Sequence, residues 1–316
     1  MDNIYTIYKN EFPNLLKEIN DPPEKLNIIG KLVDENAENF DNDNKEEQKT
    51  LCIVGARQHS KYGEEVCKKL INGLKRRNIC IVSGMAIGID SIVHRTAMEN
   101  GLNTIAFPGS GLNKNVLYPF QNRKLADEIV YSGGALISEF ENDQTGALWT
   151  FPKRNRLMAG ISHAVLVVEA ELISGTLITS KLAVDYNRDV GAVPGQIFSK
   201  LSEGPNMLIS KGAKIIRNSN DILEMLDMKI EEKSEGNVNI ENKQLNLLGN
   251  IRLNGIKLDN LENNTKQIID LLKIEPLTNE ELIIKSKFSA RELNNIISIL
   301  EINELIEERN GNYKIK

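Results

Sequence analysis

The sequence has no apolar run that approaches the roughly 18 residues needed to span a membrane as a helix. Its first residues, MDNIYTIYKNEF, lack the pattern of a secretory signal peptide, so we expect a cytoplasmic protein with no membrane partner. The apolar content of 41% and the charged content of 26% are typical of soluble globular proteins. A chain of 316 residues is long enough for a large domain and a smaller module.

Cysteine and histidine are scarce, with three residues of each type. Cys52, Cys67 and Cys80 fall in a predicted strand, helix and strand and form no CxxC pair, which predicts reduced thiols in the core. The three histidines do not have the spacing of zinc ligands. We therefore expect no bound metal.

The glycine patterns of the common nucleotide cofactor sites are also missing. Gly109 and Gly111 are followed by Lys114, where a GxGxxG motif requires a third glycine. Gly55 and Gly63 are too far apart for such a motif, and the chain contains no GxxxxGK[ST] sequence. We therefore expect neither a nicotinamide nor an ATP cofactor.

The formal net charge of −5 argues at first against a nucleic-acid partner. The charge is unevenly distributed, because residues 50–228 contain 20 Lys and Arg against 17 Asp and Glu, while the remainder contains 19 against 27. The central region is therefore slightly basic and its flanks are acidic. A site for a polyanion would have to be a local basic patch.

Regular patterning begins near Leu51. Six short apolar runs are predicted strands: LCIVGA, ICIVSG, NTIAFPG, ALISEF, AVLVVEA and DVGAVPG. Amphipathic helical patterns lie between most of them, which predicts a mostly parallel sheet with helices on both faces. We assign residues 50–228 to a Rossmann-like α/β domain and residues 1–49 to a short N-terminal segment and linker.

The C-terminal part changes in composition. Residues 229–263 are rich in Asn, Glu and Lys, which predicts a flexible linker. Residues 264–316 predict three helices, the second beginning with the capping box of Thr278 and Glu281, and a hairpin at Asn310. This pattern is typical of a winged-helix-like module. Its third helix and hairpin are acidic, which disfavours duplex binding and favours contact with protein.

Three glycine-containing corners follow predicted strands. They are IVGARQHSKYG at 53–63, SGMAIGID at 83–90 and EAELISGTLITS at 169–180. Small residues at a strand-to-helix corner leave backbone N–H groups free to bind an anion, and the helix N-terminus adds partial positive charge. Three such corners on one sheet favour a surface for a repeating polyanion at least as much as a pocket for one ligand.

The segment WTFPKRNRLMAGIS places Trp149 and Phe151 beside Lys153, Arg154 and Arg156. Aromatic rings stack on bases while cations bind phosphates, which is the combination that single-stranded nucleic acid requires. Cations in a first helical turn oppose the helix dipole, and a bound anion would relieve that effect. In the alternative interpretation, the aromatic residues anchor the core and the cations form a solvated helix start.

Two further positions extend this pattern. Arg57 directly follows the first predicted strand, at the edge of the sheet where ligands bind. Tyr118, with Arg123 and Lys124 close in sequence, gives a weaker aromatic and cationic combination.

Candidate acid–base residues have simpler interpretations. Asp90 and His94 lie four residues apart on one predicted helical face, where we expect Asp90 to cap the helix and His94 to pack or accept a hydrogen bond. Glu139 and Glu169 each end a predicted strand. Paired carboxylates there could serve a glycosidic reaction, but we favour the capping of neighbouring loops.

The motifs together resemble those of the DNA-processing protein A (DprA, or Smf) family. They occur in the family's order over about residues 50–217: IVGARQHSKYG, IVSGMAIGIDSIVHRTAM, TIAFPGSGLNKNVLYPFQNRKL, FPKRNRLMAGIS, VLVVEAELISGTLITSKLA, and AVPGQ with GPNMLISKGA. The resemblance implies a Rossmann-like homodimer without enzymatic activity. It also implies binding to single-stranded DNA, loading of the recombinase RecA and displacement of single-strand-binding protein.

The matching motifs also imply DNA-contacting residues: Arg57, Ser83, Gly84, Phe151, Lys153, Arg154, Asn155, Ser174, Gly175 and Thr176. The aromatic and cationic pattern adds Tyr118 and Arg156. Ala56 stands where the family usually has serine, which removes one hydroxyl from a phosphate contact, and Pro108 replaces a more usual leucine.

We therefore expect a recombination mediator that binds single-stranded DNA, protects incoming strands and loads RecA in natural transformation. The alternative is a nucleotide-binding or nucleotide-hydrolysing protein of the nucleoside phosphoribohydrolase type, in which Glu169 would be the acid. A protein-interaction scaffold is a third possibility, and it would have no affinity for oligonucleotides.

Overall fold

A computed structural model describes residues 3–32, 48–230, 258–302, 305–309 and 311–315. The chain divides into two compact units, residues 1–232 and 233–316. Most of the linker expected at 229–263, and the turn residue Asn310, lie outside the described residues. No helix within the described ranges is long and apolar enough to cross a membrane.

The first unit is built on a nine-stranded sheet. Its strands are β1 (Tyr5–Tyr8), β2 (Lys25–Gly30), β3 (Lys49–Val54), β4 (Ile79–Ser83), β5 (Thr104–Ala106), β6 (Ala135–Ser138), β7 (Ala164–Val167), β8 (Asp189–Ala192) and β9 (Lys214–Ile215). The order across the sheet is β1-β2-β6-β5-β4-β3-β7-β8-β9. Neighbours from β6 to β9 are parallel, whereas β2 runs antiparallel to β6 and β1 antiparallel to β2.

Eight helices accompany the strands in the described part of this unit. They are α1 (Asn14–Lys17), α2 (Lys61–Asn72), α3 (Ile89–Glu99), α4 (Arg123–Tyr131), α5 (Thr150–Ile161), α6 (Gly175–Asp185), α7 (Lys200–Ser210) and α8 (Ser219–Met225). Of these, α2 to α7 lie between strands of the parallel part of the sheet. Short 3₁₀ turns occur at Lys9–Glu11 and Phe120–Asn122. The six predicted strands and the helices between them are present, so the predicted Rossmann-like α/β fold is confirmed.

Side-chain alternation along β3 places the core on both faces of the sheet. Cys52 and Val54 pack in a cluster with residues of α5 and α6, whereas Leu51 and Ile53 pack in a second cluster with residues of α2 and α3. Because successive strand residues point to opposite faces, a strand that is apolar throughout must be covered on both sides. The three cysteines are buried free thiols, as predicted.

The structure differs from the sequence analysis at the N-terminus. Residues assigned there to a segment outside the sheet form β1 and β2, which extend the sheet beyond β6. Phe12, Leu16 and Leu26 are buried in the same cluster as the β3 residues Cys52 and Val54. This part of the chain therefore belongs to the α/β unit.

From residue 258 onwards, the described part of the second unit contains three helices and a small antiparallel sheet. They are α9 (Leu258–Leu272), α10 (Asn279–Ser286), α11 (Ala290–Ile302), β10 (Leu277–Thr278), β11 (Ile306–Arg309) and β12 (Asn312–Ile315), with the strands in the order β10-β12-β11. Thr278 caps α10 and forms the predicted capping box with Glu281. The assignment of this unit to the winged-helix class stays a prediction.

Candidate functional site

The three glycine-containing corners meet at one edge of the sheet. β3 lies between β4 and β7, and all three strands are parallel, so the loops that follow them leave from the same edge. The loop after β4 packs directly on the loop after β3, because Ile89 donates its backbone N–H to the carbonyl of Ala56 at 3.1 Å. Gly88 makes this approach possible: its φ is +85°, and a Cβ there would lie 2.4 Å from the Ala56 oxygen.

A cavity of about 530 Å³ opens where the loops after β3 and β7 meet the first turns of α5 and α6. Seven of the predicted site residues line it: Arg57, Phe151, Arg154, Asn155, Ser174, Gly175 and Thr176. Ser83, Gly84, Tyr118, Lys153 and Arg156 are not among the lining residues. Ile173 lines the cavity and is 98% exposed. The sequence analysis missed this residue, although an isoleucine in a loop beside glycine and serine was a usable signal.

Arg57 and two aromatic rings form a stacked group at the mouth of this cavity. The Arg57 guanidinium lies 5.3 Å from the centroid of the Phe151 ring, and the Tyr118 ring lies 5.6 Å from Phe151 on a tilted plane. Arg57 and Tyr118 are exposed and Phe151 is partly exposed. Phe151 is fixed against Gly109, where an added Cβ would lie 2.4 Å from the ring. The group presents a cation and aromatic surface together to solvent.

The N-terminus of α6 supplies a second anion-attracting element in the same cavity. Ser174 is the N-cap, and its hydroxyl accepts a hydrogen bond from the Thr176 backbone N–H at 3.2 Å. The Thr176 hydroxyl donates to the Gly55 carbonyl at 3.2 Å, and the Asn155 amide donates to the Gly175 carbonyl at 3.2 Å. Gly175 itself is exposed. The first turn of α6 is thus held in place with its partial positive charge at the cavity.

Arg154 lines the cavity but is buried, with 5% of its surface exposed. Its Nη1 donates to the carbonyls of Gly84 and Phe107, which follow β4 and β5. Burial lowers the pKa of the guanidinium to about 10, whereas the buried carboxyl of Asp90 nearby has a raised pKa because of its own desolvation. Arg154 therefore joins α5 to two strand ends, which differs from the exposed phosphate ligand that the sequence suggests.

Ser83 and Gly84 are also buried, which does not favour the direct DNA contact predicted for them. The Ser83 hydroxyl donates to the Ile53 carbonyl at 2.7 Å and has no exposed surface. Gly84 lies beneath Arg154 and Asp90, so that an added Cβ would be 2.7 Å from each. These two residues let the neighbouring groups pack closely.

Lys153 and Arg156 share one buried carboxylate, which the sequence analysis did not connect with them. Glu139 Oε2 lies 2.5 Å from Arg156 Nη2 and 3.5 Å from Lys153 Nζ. Arg156 is buried and also donates to the backbone carbonyl of Asp21 at 2.6 Å, so it holds the N-terminal segment. Lys153 remains 48% exposed at its side chain. The Asp21 carboxylate also lies 3.5 Å from Arg156 Nε, so two carboxylates face the two cations and their formal charges balance.

The candidate acid–base residues are engaged in structural contacts. Glu169 is buried and accepts hydrogen bonds from the backbone N–H of Ser60 at 3.0 Å and from its hydroxyl at 2.5 Å, which confirms the loop-capping expectation. His94 is hydrogen-bonded to Thr104 at 2.7 Å, and burial lowers its pKa to about 3, so it is neutral. The prediction for Asp90 was wrong: Gly88 is the N-cap residue of α3.

The fold and the site together define a class: a Rossmann-like α/β protein with an exposed guanidinium and a helix N-terminus at the carboxyl edge of its sheet. Residues 3–227 match the sequence model of the DNA recombination-mediator protein A family. The chain belongs to this family.

Two curated relatives illustrate the extent of the match. Protein Smf from Escherichia coli is 42% identical over 176 residues, which is 56% of this chain and 46% of that protein. DNA processing protein DprA from Streptococcus pneumoniae is 41% identical over 173 residues, which is 55% of this chain and 60% of that protein. The chain thus spans about half to three fifths of the length of these relatives.

Two solved structures share the fold. The X-ray structure of the S. pneumoniae protein superposes with a TM-score of 0.64 and 35% identity, covering 72% of this chain and 75% of that one. DNA processing protein A from Helicobacter pylori superposes with a TM-score of 0.62 and 27% identity, covering 72% of this chain and 98% of that one. The H. pylori protein binds single-stranded DNA.

Proposed function

We propose that this protein binds single-stranded DNA at the carboxyl edge of its sheet and acts there as a recombination mediator. The observation that carries the proposal is the stacked group of Arg57, Phe151 and Tyr118 beside the N-terminus of α6. In this arrangement Arg57 and the backbone N–H of Gly175 bind phosphates, while Phe151 and Tyr118 stack on bases.

The exposed aromatic surface favours a single strand over a duplex. Base faces are available for stacking only where the bases are unpaired, because in a duplex they already stack on each other. Lys153 adds a phosphate contact outside the cavity, and Asn155 supports the α6 turn. In this proposal Ser83, Gly84, Arg154 and Arg156 shape the surface from beneath.

The cellular role that we propose is based on the family to which the chain belongs. We propose that the protein acts in the cytoplasm as a homodimer, protects incoming single strands and loads RecA onto them during natural transformation, displacing single-strand-binding protein. Membership of the recombination-mediator family and the single-stranded DNA binding of the H. pylori protein support this role. We propose no enzymatic step.

The surroundings of Glu169 do not favour the nucleotide-hydrolysing alternative. Glu169, which that reaction would use, is buried and both of its oxygens accept hydrogen bonds from Ser60. A general acid must reach the substrate with a free proton. Glu169 in this arrangement holds the loop after β3.

Fluorescence anisotropy with labelled oligothymidine and with a duplex of equal length tests the proposal. We expect tighter binding of the single strand, and we expect Arg57→Ala and Lys153→Ala each to weaken it more than tenfold, a loss of about 1.4 kcal/mol. Arg95→Ala and Lys69→Ala are matched controls, because these exposed cations lie on α3 and α2 and do not line the cavity. Equal affinity for both nucleic acids, or unchanged affinity in both site variants, would contradict the proposal.

A further inference from the structure

Trp149 is an exposed aromatic residue that the proposed site does not use. It is the N-cap residue of α5 and 56% exposed. Its ring lies 5.7 Å from that of Phe140 at an interplanar angle of 87°. Because more than half of the Trp149 surface is exposed beside this contact, the indole has surface free for another contact.

A cation accompanies this aromatic pair. Lys153 Nζ lies 5.7 Å from the centroid of the Phe140 ring, and its side chain is 48% exposed. Trp149, Phe140 and Lys153 therefore repeat the combination found in Tyr118, Phe151 and Arg57: two aromatic rings in contact and one exposed cation over a ring. Two rings in contact and a nearby cation thus occur twice near the first turn of α5. The cations differ in one respect, because Lys153 Nζ also lies 3.5 Å from the Glu139 carboxylate.

The two groups lie on different sides of that turn. Trp149 and Phe151 are two residues apart where α5 begins, and side chains with this spacing do not face each other on a helix. Phe151 contacts Arg57 and Tyr118, whereas Trp149 contacts Phe140. A polymer that passes from one group to the other must cross the start of α5, where the helix dipole favours its negative charge.

We propose that Trp149 stacks on a second base of the same DNA strand and that Lys153 binds the phosphate beside it. This inference rests on the proposed function and extends the binding surface from the cavity across the start of α5. The occupant is a single-stranded nucleic acid, because the repeated pairing of aromatic ring and cation matches its alternation of base and phosphate.

Intrinsic fluorescence tests the inference directly, because Trp149 is the only tryptophan in the chain. The full-length protein is titrated with unlabelled oligothymidine while tryptophan emission is recorded, and binding is measured in parallel by anisotropy. We expect quenching that saturates at the same ratio as the anisotropy change. Binding without any change in emission would overturn the inference and leave the proposed function intact. The absence of binding in both measurements would instead defeat the proposed function.

Substitutions give a second readout. Trp149→Ala is expected to weaken oligothymidine binding about fivefold or more, whereas Trp149→Phe retains a stacking ring and stays within about twofold of the wild type. Leu148→Ala is the matched control, because Leu148 is 92% exposed, adjoins Trp149 and cannot stack. Circular dichroism verifies that each variant is folded. Equal affinity of the alanine and phenylalanine variants would count against a stacking role.

Discussion

Two arginines of the same cavity have opposite environments, and this difference predicts different functions for them. Arg57 is exposed, and within the described part of the chain it forms no ion pair. Arg154 is buried and donates to the carbonyls of Gly84 and Phe107. An exposed guanidinium can exchange bound water for a phosphate with little loss of free energy. A buried guanidinium would first have to break its hydrogen bonds within the protein.

We predict that Arg154→Ala lowers the free energy of unfolding by about 3 kcal/mol or more, because it leaves two buried carbonyls and the Asp90 carboxyl without their cationic partner. Arg57→Ala should change the free energy of unfolding by no more than about 0.5 kcal/mol, as is usual for substitutions of exposed side chains. Urea denaturation followed by circular dichroism measures both. A stable Arg154→Ala protein with weakened DNA binding would show instead that Arg154 contacts DNA directly.

The sequence could indicate which residue types gather at the site but not which of them reach the surface. The FPKRN segment correctly identified a turn rich in aromatic and cationic residues, and Phe151 does line the cavity. The burial of Arg154 and Arg156 depends on carbonyls and on Glu139, which are distant in sequence. Helical periodicity in the sequence indicates on which face of a helix a side chain lies. The groups that this side chain contacts depend on tertiary packing, which the periodicity does not show.

At the level of whole elements, the corner between β7 and α6 brings backbone groups to the cavity. Ser174 is extended, with φ −134° and ψ 140°, and Gly175 is the first residue of the helix. A Cβ atom added to Gly175 would have no neighbouring heavy atom within 4 Å. An extended residue before the first helical position is the conformation that a following proline requires.

This geometry allows one backbone N–H to be removed without breaking the helix. We predict that Gly175→Pro keeps α6 intact, since proline is well accepted at the first helical position, and weakens oligothymidine binding about tenfold because a hydrogen bond to phosphate is lost. Gly175→Ala retains the N–H and should bind like the wild type. Anisotropy measures affinity, and thermal unfolding monitors the helix. Equal affinity of the two variants would exclude this N–H as a DNA ligand.

The central elements were predictable because their signals are local. The apolar runs at β3, β4 and β7 are continuous, and the Thr278 capping box marks the start of α10. The sequence analysis missed β1, which buries only one of its four residues. Such a short strand has no distinctive period and is stabilised mainly by its pairing with β2.

For the molecule as a whole, the N-terminal residues complete the core. Arg156 donates to the carbonyl of Asp21, Arg188 donates to that of Leu15, and the hydroxyl of Tyr186 donates to the carboxylate of Asp21 at 2.5 Å. These contacts join Leu15 and Asp21 to α5 and to the residues that follow α6. The Lys153 and Arg156 pair with Glu139 therefore connects the proposed DNA-binding surface with the N-terminal segment.

We predict that residues 1–232 fold alone and bind oligothymidine like the full chain, because all the proposed contacts lie in this unit. Residues 48–232 should fail to form a stable fold. Seven buried apolar side chains would be lost: Ile7, Phe12, Leu16, Ile19, Leu26, Ile28 and Ile29. At about 1.5–3 kcal/mol each, they contribute about 10 kcal/mol or more, comparable to the whole stability of a typical domain. Urea denaturation of the two fragments tests this prediction. Equal midpoints of unfolding would mean that the rest of the sheet is stable without the N-terminal strands.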